Sequence, residues 1–461
     1  MNRTHVIAVF DVGKTNKKLL LFDEQYKIAY EESRQLEEIK DEDGFSCEDV
    51  SALTGWIKDS FNRLLKDKRY DIKGVNFSAS GASFVYLDER LNVLLPLYNY
   101  LKPYSPRLRE KFYKTYGGES FVAKQTASPV LGNLNSGMQL YRLKYEKPEA
   151  FAKIKYALHL PQYLSFVLTG KLWSDITSIG CHTNLWDFKK NKYHSWVKKE
   201  GIGPKLAPIM NSDGIAGYIS ENIPAGIGLH DSSAALIPYL ISFNEPFLLL
   251  STGTWCITLN PFNHIPLSDY ELQQDCLCYL SYKGKPVKAS RLFAGYEHEQ
   301  QTKKLAGHFN KPLDHYKRVQ FDLRLLDKLK PVKSFSKKNT NDGMPRQSGF
   351  GTRDLDMFAS YEEAYHQFIA DIVAQQIQSV NLVLKGTKVK RIFVDGGFSK
   401  NQIYMYLLAK AFTEIEVYSA SVAQATALGA ALAIHKHWNS RPMPVDIIDL
   451  KLYSVTHEVE N

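Results

Sequence analysis

A short turn near the start of the chain combines glycine with residue types that can bind phosphate. It runs from Asp11 to Asn16, directly after the apolar stretch 6–10, and two lysines follow it. Gly13 lets a ligand approach the backbone. Backbone amides and the Thr15 hydroxyl can donate hydrogen bonds to phosphate oxygens, whose charge a lysine offsets. Asp11, at the end of a predicted strand, is suited to hold Mg²⁺, directly or through water.

Two later turns have related compositions. Residues 251–254 read Ser-Thr-Gly-Thr and lie between two apolar stretches, as the first turn does. Two such turns facing each other across a cleft would bind a polyphosphate from both sides, although each one alone could be an ordinary hairpin turn. Residues 395–401 read Asp-Gly-Gly-Phe-Ser-Lys-Asn, and the two glycines leave room for a flat ring against the backbone. Neither a Walker loop nor a Rossmann G-x-G-x-x-G pattern is present.

Asp231 is the candidate for acid–base chemistry. It follows His230 in the segment 228–235, which joins a glycine-containing turn to an apolar run. A carboxylate in this segment can accept a proton from a substrate hydroxyl, and His230 can hydrogen-bond the same substrate. The alternative is that Asp231 only occupies the N-cap position of the helix that follows, a common role of aspartate.

The elements that must position these residues repeat in two halves, and each half opens with a hairpin. In the first half, strands are predicted at 6–10, 19–22, 28–30, 75–78 and 84–87, and helices at 50–65, from Asn135 to before Pro148, and from Pro161 to Gly170. In the second half, strands are predicted at 247–250, 255–259 and 391–394, and helices at 361–385, 401–412 and 423–435. This pattern predicts a duplicated α/β fold with a cleft between domains 1–240 and 241–461.

Size and composition favour a globular protein over a membrane or nucleic-acid-binding protein. A chain of 461 residues exceeds what one hydrophobic core usually serves. Its apolar stretches are strand-sized, so we expect no membrane span and no signal peptide. Lys and Arg outnumber Asp and Glu by 58 to 49 but lie in short clusters, which is typical of solvated surface charge. Five cysteines without a secretion signal indicate a reducing cytoplasm, with Cys276 and Cys278 in a strand rather than a metal site.

The order of these motifs resembles the FGGY family of carbohydrate kinases. Four segments carry the resemblance: 11–15, 228–231, 251–255 and 395–401. Between them, residues 160–170 are similar to the family's P-D-Y-L-x-x-x-L-T-G stretch, and residues 423–431 to its E-A-x-A-L-G-A-A helix. The match runs from about residue 6 to residue 435, so it covers nearly the whole chain.

The resemblance implies two actin-like, hexokinase-type (ribonuclease H-like) α/β domains, which bind ATP and Mg²⁺ in the cleft and phosphorylate a sugar hydroxyl. Asp231 is then the catalytic base and Asp11 the metal-associated carboxylate. The predicted ATP-binding residues are Gly13, Lys14, Thr15, Asn16, Lys17, Thr252, Gly253, Thr254, Gly396, Gly397 and Asn401. The predicted sugar contacts are Gly81, Tyr98, His230 and Asp231. We expect a small-molecule sugar as partner, without nucleic acid or membrane, and a homodimer is compatible with the sequence.

Departures from the family pattern leave the substrate open. Lys14 replaces a small residue, Gln162 and Gln424 replace frequent acidic residues, and segment 96–100 lacks the Arg-Asp pattern of many relatives. Segments 84–88 and 251–255 look most like rhamnulose and fuculose kinases. The presumed sugar-side segments offer few charged residues and four aromatic ones that suit a neutral deoxysugar, Phe84, Tyr86, Tyr98 and Tyr100. We expect L-rhamnulose or L-fuculose ahead of D-xylulose, L-ribulose and glycerol. A non-enzymatic actin-like ATPase and a silent sugar-binding regulator are the alternatives from other classes.

Overall fold

Two mixed β-sheets, one from each half of the chain, form the centre of the molecule. The computed structural model describes residues 3–14, 16–220, 222–330 and 347–454. The strands of the first half are β1 Thr4–Val12, β2 Lys17–Asp23, β3 Ile28–Arg34, β4 Glu38–Lys40, β5 Ser46–Glu48, β6 Tyr70–Ala79, β7 Phe84–Leu87, β8 Tyr156–His159, β9 Ser174–Asp175, β10 Trp186–Asp187, β11 Lys192–Tyr193, β12 Ile209–Met210, β13 Ile215–Ile219, β14 Ile223–Gly226 and β15 Leu229–His230. Its helices are α1 Val50–Lys66, α2 Pro106–Thr115, α3 Glu119–Thr126, α4 Ser136–Glu146, α5 Pro148–Lys153, α6 Leu160–Thr169, α7 Ile176–Ile179, α8 Ser195–Lys199 and α9 Asp231–Ser242.

The second half has fewer and longer elements. Its strands are β16 Phe247–Thr252, β17 Cys256–Asn260, β18 Cys276–Leu280, β19 Pro286–Leu292, β20 Arg391–Gly396, β21 Glu416–Ser421 and β22 Asp449–Tyr453. Its helices are α10 Asp269–Gln273, α11 Ala294–His308, α12 Leu323–Leu326, α13 Tyr361–Leu384, α14 Gln402–Ala411, α15 Ala425–Ala433 and α16 His435–Trp438. Within the described ranges, no helix is both long and apolar enough to cross a membrane.

The two sheets place a hairpin beside a parallel strand in the same way. The first sheet runs β13-β14-β6-β1-β2-β3, with β15 also pairing β6. In it β1 is antiparallel to β2 and parallel to β6. The second sheet runs β18-β19-β17-β16-β20-β21-β22, and β16 is antiparallel to β17 and parallel to β20. The β1–β2 and β16–β17 turns therefore lie at equivalent places, each next to the carboxyl end of a parallel strand.

Helix α9 lies between the sheets and packs closely against α15. A Cβ atom at Gly429 of α15 would lie 1.9 Å from the carbonyl oxygen of Ala234 in α9, so only glycine allows this approach. Small residues on both helices make the crossing tight, and both helices belong to one buried cluster with strands of the two sheets. This cluster fixes the start of α9, which carries Asp231, relative to the strands around it.

The structure confirms the long predicted elements and corrects their ends. Strand β7 has the predicted bounds, and β1, β2, β6 and β20 each extend beyond the predicted stretch. The predicted strand through Cys276 and Cys278 is confirmed as the start of β18. The predicted domain boundary after residue 240 falls near the end of α9 and stays a prediction.

Candidate active site

Asp231 lies at the start of α9 with a partly exposed carboxylate. Its side chain is 38% exposed, whereas that of His230 is 4% exposed, and its Oδ1 atom lies 3.3 Å from His230 Nε2. Oδ1 also accepts a hydrogen bond from the backbone N–H of Ser232 at 2.6 Å. The interpretation of Asp231 as an N-cap residue is wrong, because His230 occupies that position and Asp231 is the first helical residue. The helix N-terminus stabilises its negative charge.

His230 is held as a neutral side chain beside this carboxylate. Burial lowers the pKa of His230, and the charge of Asp231 offsets only part of that effect. Strand β15 places His230 opposite Ala79 at the carboxyl end of β6. A Cβ atom at Gly81 would lie 2.9 Å from Cδ2 of His230 and 3.2 Å from Sγ of Cys181, so a larger residue there would displace the imidazole. The predicted sugar-side residues Gly81 and His230 are therefore in contact.

Asp11 lies at the end of β1, close enough to Asp231 for their charges to interact. Its Oδ2 atom accepts a hydrogen bond from the Thr426 hydroxyl at 2.6 Å. Burial raises the pKa of Asp11 to about 6, and the negative charge of Asp231 contributes to the same shift. Two carboxylates that repel each other in this way favour a bound cation between or beside them. Oxygen donors of this kind suit a hard cation such as Mg²⁺.

The first turn is supported from below by a buried lysine. The Gly13 N–H donates to the carbonyl of Asn16 at 3.0 Å. Lys17 is 3% exposed, and its Nζ donates to the Lys14 carbonyl at 2.8 Å and lies 3.3 Å from Glu48 Oε2. This ammonium is engaged under the turn, so its predicted phosphate contact stays a prediction.

The other predicted residues of this turn have mixed positions. The Lys14 ammonium pairs with Glu38 Oε1 at 2.9 Å, close to the surface. The side chain of Asn16 is exposed and accepts a hydrogen bond from Gln35 at 3.3 Å. The prediction for Thr15 lies outside the described residues.

Thr252 connects the two turns of the second sheet. Its hydroxyl accepts a hydrogen bond from the Phe398 N–H at 3.0 Å, and its carbonyl accepts one from the Gly397 N–H at 2.7 Å. Gly396 adopts a φ of 91°, and a Cβ atom there would lie 2.0 Å from the Thr252 carbonyl oxygen. Glycine is therefore required at 396 by the close approach of the two turns.

The remaining predicted nucleotide residues border the same surface. Gly253 and Thr254 are exposed at the tip of the β16–β17 turn. Asn401 caps α14 by accepting a hydrogen bond from the Tyr404 N–H, and its amide donates to the Tyr365 hydroxyl at 2.9 Å. The structure thus brings 252–254 and 396–397 together, while the Asn401 side chain already has protein partners.

The predicted sugar contact at Tyr98 stays a prediction, and the nearby Tyr100 lines the same cavity. Tyr98 packs in an aromatic cluster, and its hydroxyl donates to Glu42. Burial, together with the charges of Asp231 and Glu48, raises the pKa of Tyr100 to about 12. Of the two tyrosines in this segment, Tyr100 is the one whose pKa is raised by the charge of Asp231. A small cavity of about 20 Å³ adjoins it, lined by Val12, Lys14, Glu48, Ser80, Ser83, Leu97, Tyr98, Asn99, Tyr100 and Leu160.

Sequence reasoning missed residues that reach the site from distant parts of the chain. Thr426 contacts Asp11 across 415 positions. Tyr279, on β18 of the second sheet, has its ring centroid 5.2 Å from that of His230. Gly295 packs against the second turn, because a Cβ atom there would lie 1.9 Å from the Gly253 carbonyl oxygen. Strands β18 and β19 are buried on both faces, so their sequences show no alternation that could have indicated which residues face the site.

The comparisons with known proteins identify the class of protein. Residues 6–236 match the N-terminal domain of the FGGY family of carbohydrate kinases. Residues 338–435 match the C-terminal domain of that family, and residues 244–327 match a second description of the FGGY carbohydrate kinase C-terminal domain. The chain belongs to the FGGY family of carbohydrate kinases, so it is a sugar kinase, a phosphotransferase acting on an alcohol group.

Individual relatives are distant but extend over almost the whole chain. The chain is 22% identical to the rhamnulokinase of Halalkalibacterium halodurans, over 96% of this chain and 97% of the relative. It is 23% identical to a probable L-xylulose kinase of Haemophilus influenzae, over 93% of this chain and 90% of the relative.

Solved structures agree on the architecture. A carbohydrate kinase from Novosphingobium aromaticivorans superposes with a TM-score of 0.80 at 21% identity, over 98% of this chain and 95% of that one. A xylulose kinase from Lactobacillus acidophilus also gives 0.80, at 17% identity, over 98% and 94%. The two-domain, actin-like α/β fold predicted from the sequence is therefore confirmed.

Proposed function

We propose that this kinase transfers the γ-phosphoryl group of ATP to a terminal hydroxyl of a neutral ketose, with Asp231 as the base. The position of the Asp231 carboxylate carries this proposal. It is partly exposed at the start of α9, and its charge affects the pKa values of both Asp11 and Tyr100. One carboxylate thus interacts both with the acid of the first turn and with Tyr100, which lines the cavity, as a group between donor and acceptor must.

The reaction needs positioning and charge control more than covalent help from the protein. In the proposed step, Asp231 accepts the proton of the sugar hydroxyl while that oxygen bonds to the γ-phosphorus and the bond to ADP breaks. His230, neutral because burial lowers its pKa, hydrogen-bonds the sugar. The N–H groups of Gly13, Gly253 and Gly397 are bonded to the carbonyls of Asn16, Trp255 and Thr252, so these glycines leave room for the phosphates while neighbouring amides and hydroxyls of the turns donate to the phosphate oxygens.

Mg²⁺ fits the acidic side of this site. Asp11 would hold it, directly or through water, because a cation offsets the burial and the repulsion by Asp231 that together raise the pKa of this carboxyl to about 6. When bound, the ion would neutralise charge on the phosphate groups. The predicted lysines do not replace it, since Lys17 is engaged with Glu48 and Lys14 with Glu38.

The nature of the sugar is inferred from the cavity wall and from the relatives. Val12, Leu97, Leu160 and two tyrosines give this small cavity apolar faces that suit a methyl group rather than a whole sugar. We place L-rhamnulose and L-fuculose ahead of D-xylulose and L-ribulose, supported by the distant similarity to rhamnulokinases. L-xylulose is the second candidate, favoured by the Haemophilus relative. We also propose a cytoplasmic location, consistent with five free and buried cysteines.

A coupled ADP-release assay tests the proposal. It should rank L-rhamnulose, L-fuculose, L-xylulose, D-xylulose, L-ribulose, glycerol and gluconate by kcat/KM. A deoxyketose should come first, although an apolar pocket distinguishes one methyl group only by roughly 10 to 200-fold. If glycerol or gluconate came first by about tenfold or more, a margin of that order, the ketose assignment would be wrong while the kinase assignment stood.

A further inference from the structure

His182 is a buried histidine without a hydrogen-bond partner. Its side chain is 6% exposed, and neither Nδ1 nor Nε2 has a partner among the described residues. It follows Cys181 in the loop after α7, and its carbonyl accepts a hydrogen bond from the Asn135 amide at 2.8 Å, which fixes the backbone. Burial lowers its pKa well below the ordinary value, so the ring is neutral and offers one donor and one acceptor. Leaving both unpaired in a buried place is costly.

The other buried histidines of the described ranges are paired. Nε2 of His159 lies 2.9 Å from the Ser136 hydroxyl, and Nε2 of His194 lies 2.6 Å from the Gln125 amide oxygen. His435 bonds the Tyr26 hydroxyl at 2.6 Å through Nδ1. The lack of partners at His182 is therefore specific to its position and indicates that a ligand supplies the missing hydrogen bonds of the ring nitrogens.

His182 lies beside His230, the neighbour of the proposed base. Its ring centroid is 6.0 Å from that of His230 and 6.1 Å from that of Tyr279, which the second sheet contributes. One ligand atom each of Cys181, His182 and His230 lie within 4.8 Å of one another. One hydroxyl oxygen that lies about 2.8 Å from each of two ring nitrogens can bridge nitrogens separated by about this distance. His230 is in turn 3.3 Å from the Asp231 carboxylate.

We propose that His182 is a substrate-recognition residue, which together with His230 binds a second hydroxyl of the sugar. This inference rests on the proposed function. The second hydroxyl is not the one that Asp231 deprotonates but one on the sugar chain beyond the keto carbon, further into the site. Because a fixed donor and acceptor select the direction of that hydroxyl, His182 makes the kinase selective for the configuration of the sugar chain. Tyr279 covers the pair from the second domain and excludes water.

The same three side chains have the types of a transition-metal site, but their chemistry favours a hydroxyl. The Cys181 thiol donates to the Ser178 carbonyl at 3.2 Å, so its proton is already in use. Burial and the charge of Asp231 raise the pKa of this thiol, whereas metal binding requires the thiolate. His230 is also needed for the sugar beside Asp231.

The test compares His182→Phe and His182→Gln with the wild-type kinase. Phe keeps a flat ring without hydrogen-bonding atoms, and Gln keeps a donor and an acceptor. With the best ketose, His182→Phe should raise the sugar KM by about tenfold or more, the effect of a lost buried hydrogen bond. The KM for ATP should stay unchanged. The kcat/KM ratio between L-rhamnulose and L-fuculose, which differ in configuration at one carbon, should move toward one, and Gln should restore part of it. His194→Phe, a buried and paired histidine away from the site, is the matched control.

The outcomes separate this inference from the proposed function. A wild-type protein that phosphorylates none of the ketoses refutes the proposed function. An active wild type with an unchanged sugar KM in folded His182→Phe refutes the role of His182 alone. If the Phe variant does not fold, the His182→Gln variant decides the question, because the Gln amide cannot replace both ring nitrogens at their positions. An unchanged sugar KM and an unchanged epimer ratio in this variant would refute the inference. Cobalt(II) binding with a thiolate absorption band that Cys181→Ser removes would also overturn it, in favour of a metal site.

Discussion

The turns of the two hairpins occupy equivalent places in the two sheets but differ in chemistry. In each half, the first strand of the hairpin also pairs in parallel with a later strand, β6 in one case and β20 in the other. Two positions before the turn glycine, the first half has Asp11 and the second has Ser251. The first turn therefore offers a carboxylate, and the second offers hydroxyls and backbone amides.

The two turns are also supported in different ways. A buried ion pair between Lys17 and Glu48 lies under the first turn. The second is tied to the neighbouring turn by the Thr252 hydroxyl and carbonyl. The first turn, together with Asp231, therefore forms an acidic side. The second turn has the same backbone arrangement but forms a neutral side with hydrogen-bond donors. The difference predicts that substitutions on the acidic side reduce turnover and that those on the neutral side reduce nucleotide affinity.

The largest effect is expected at Asp231. Asp231→Asn should reduce kcat by about 10² or more, the usual scale for loss of a general base. The affinity for ATP should be retained, because the turns that we propose to bind phosphate are unchanged. Steady-state kinetics and calorimetry with a non-hydrolysable ATP analogue measure the two quantities separately.

Asp269→Asn is the matched control for this variant. Asp269 is also the first residue of a helix, α10, but it lies at the surface, paired with Lys124. Its replacement should leave kcat nearly unchanged, as most surface substitutions do. Near-normal turnover of Asp231→Asn would instead mean that Asp231 only stabilises the start of α9.

An intermediate effect is expected at Asp11, and it depends on pH. Because the pKa of Asp11 is raised to about 6, the carboxyl becomes protonated as the pH falls through 6 and can no longer hold a cation. The apparent Mg²⁺ affinity of the wild-type kinase should therefore fall below pH 6 and level off above it. Asp11→Asn should weaken Mg²⁺ by roughly 10 to 100-fold, the scale for a residue that supports a bound metal, and should lose this pH dependence. Mg²⁺ titrations of activity between pH 5 and 8, a range that includes the pKa of about 6, would contradict the assignment if both proteins gave the same curve.

The smallest effect is expected from substitutions of the two turn glycines, Gly13 and Gly253. A Cβ atom at Gly253 would lie 3.9 Å from its nearest neighbour, the Trp255 carbonyl, but one at Gly13 would lie 3.2 Å from the Asn16 carbonyl. Gly253→Val should therefore fold normally and weaken nucleotide binding by obstructing the phosphate, while Gly13→Val should also lower the melting temperature. Calorimetry with the ATP analogue and thermal unfolding distinguish the two. Unchanged affinity in both variants would show that the turns only close their hairpins.

Local patterns in the sequence were sufficient for the long elements and for the acids. Helix α13 was predicted from its buried stripe and lies within one residue of the prediction. Asp11 and Asp231 were recognised because each sits in a short motif whose chemistry is local. The fold class followed from the repeated hairpins and from the family resemblance.

Short strands and long-range contacts could not be predicted in this way. Strands β9 and β12 have two residues each and pair with each other across more than thirty positions, so neither carries a periodic pattern. His230 contacts Tyr279 and Gly81, which lie far from it in the sequence, and only folding brings these residues together. His182 was missed for the same reason, since an unpaired imidazole is visible only when its surroundings are known.

The close crossing of α9 and α15 limits how this kinase can change during evolution. Gly429 touches neither proposed ligand, yet any side chain there would push α15 away from Ala234. Thr426, one turn earlier on α15, contacts Asp11, while α9 begins with Asp231 and its Tyr239 hydroxyl donates to Asp395 at 3.1 Å. A mutation at this one glycine would therefore move three acidic groups at once. Selection on activity should thus conserve Gly429, although it contacts no ligand. Changes in sugar preference are expected to arise elsewhere, on the loops around His182 and Tyr100.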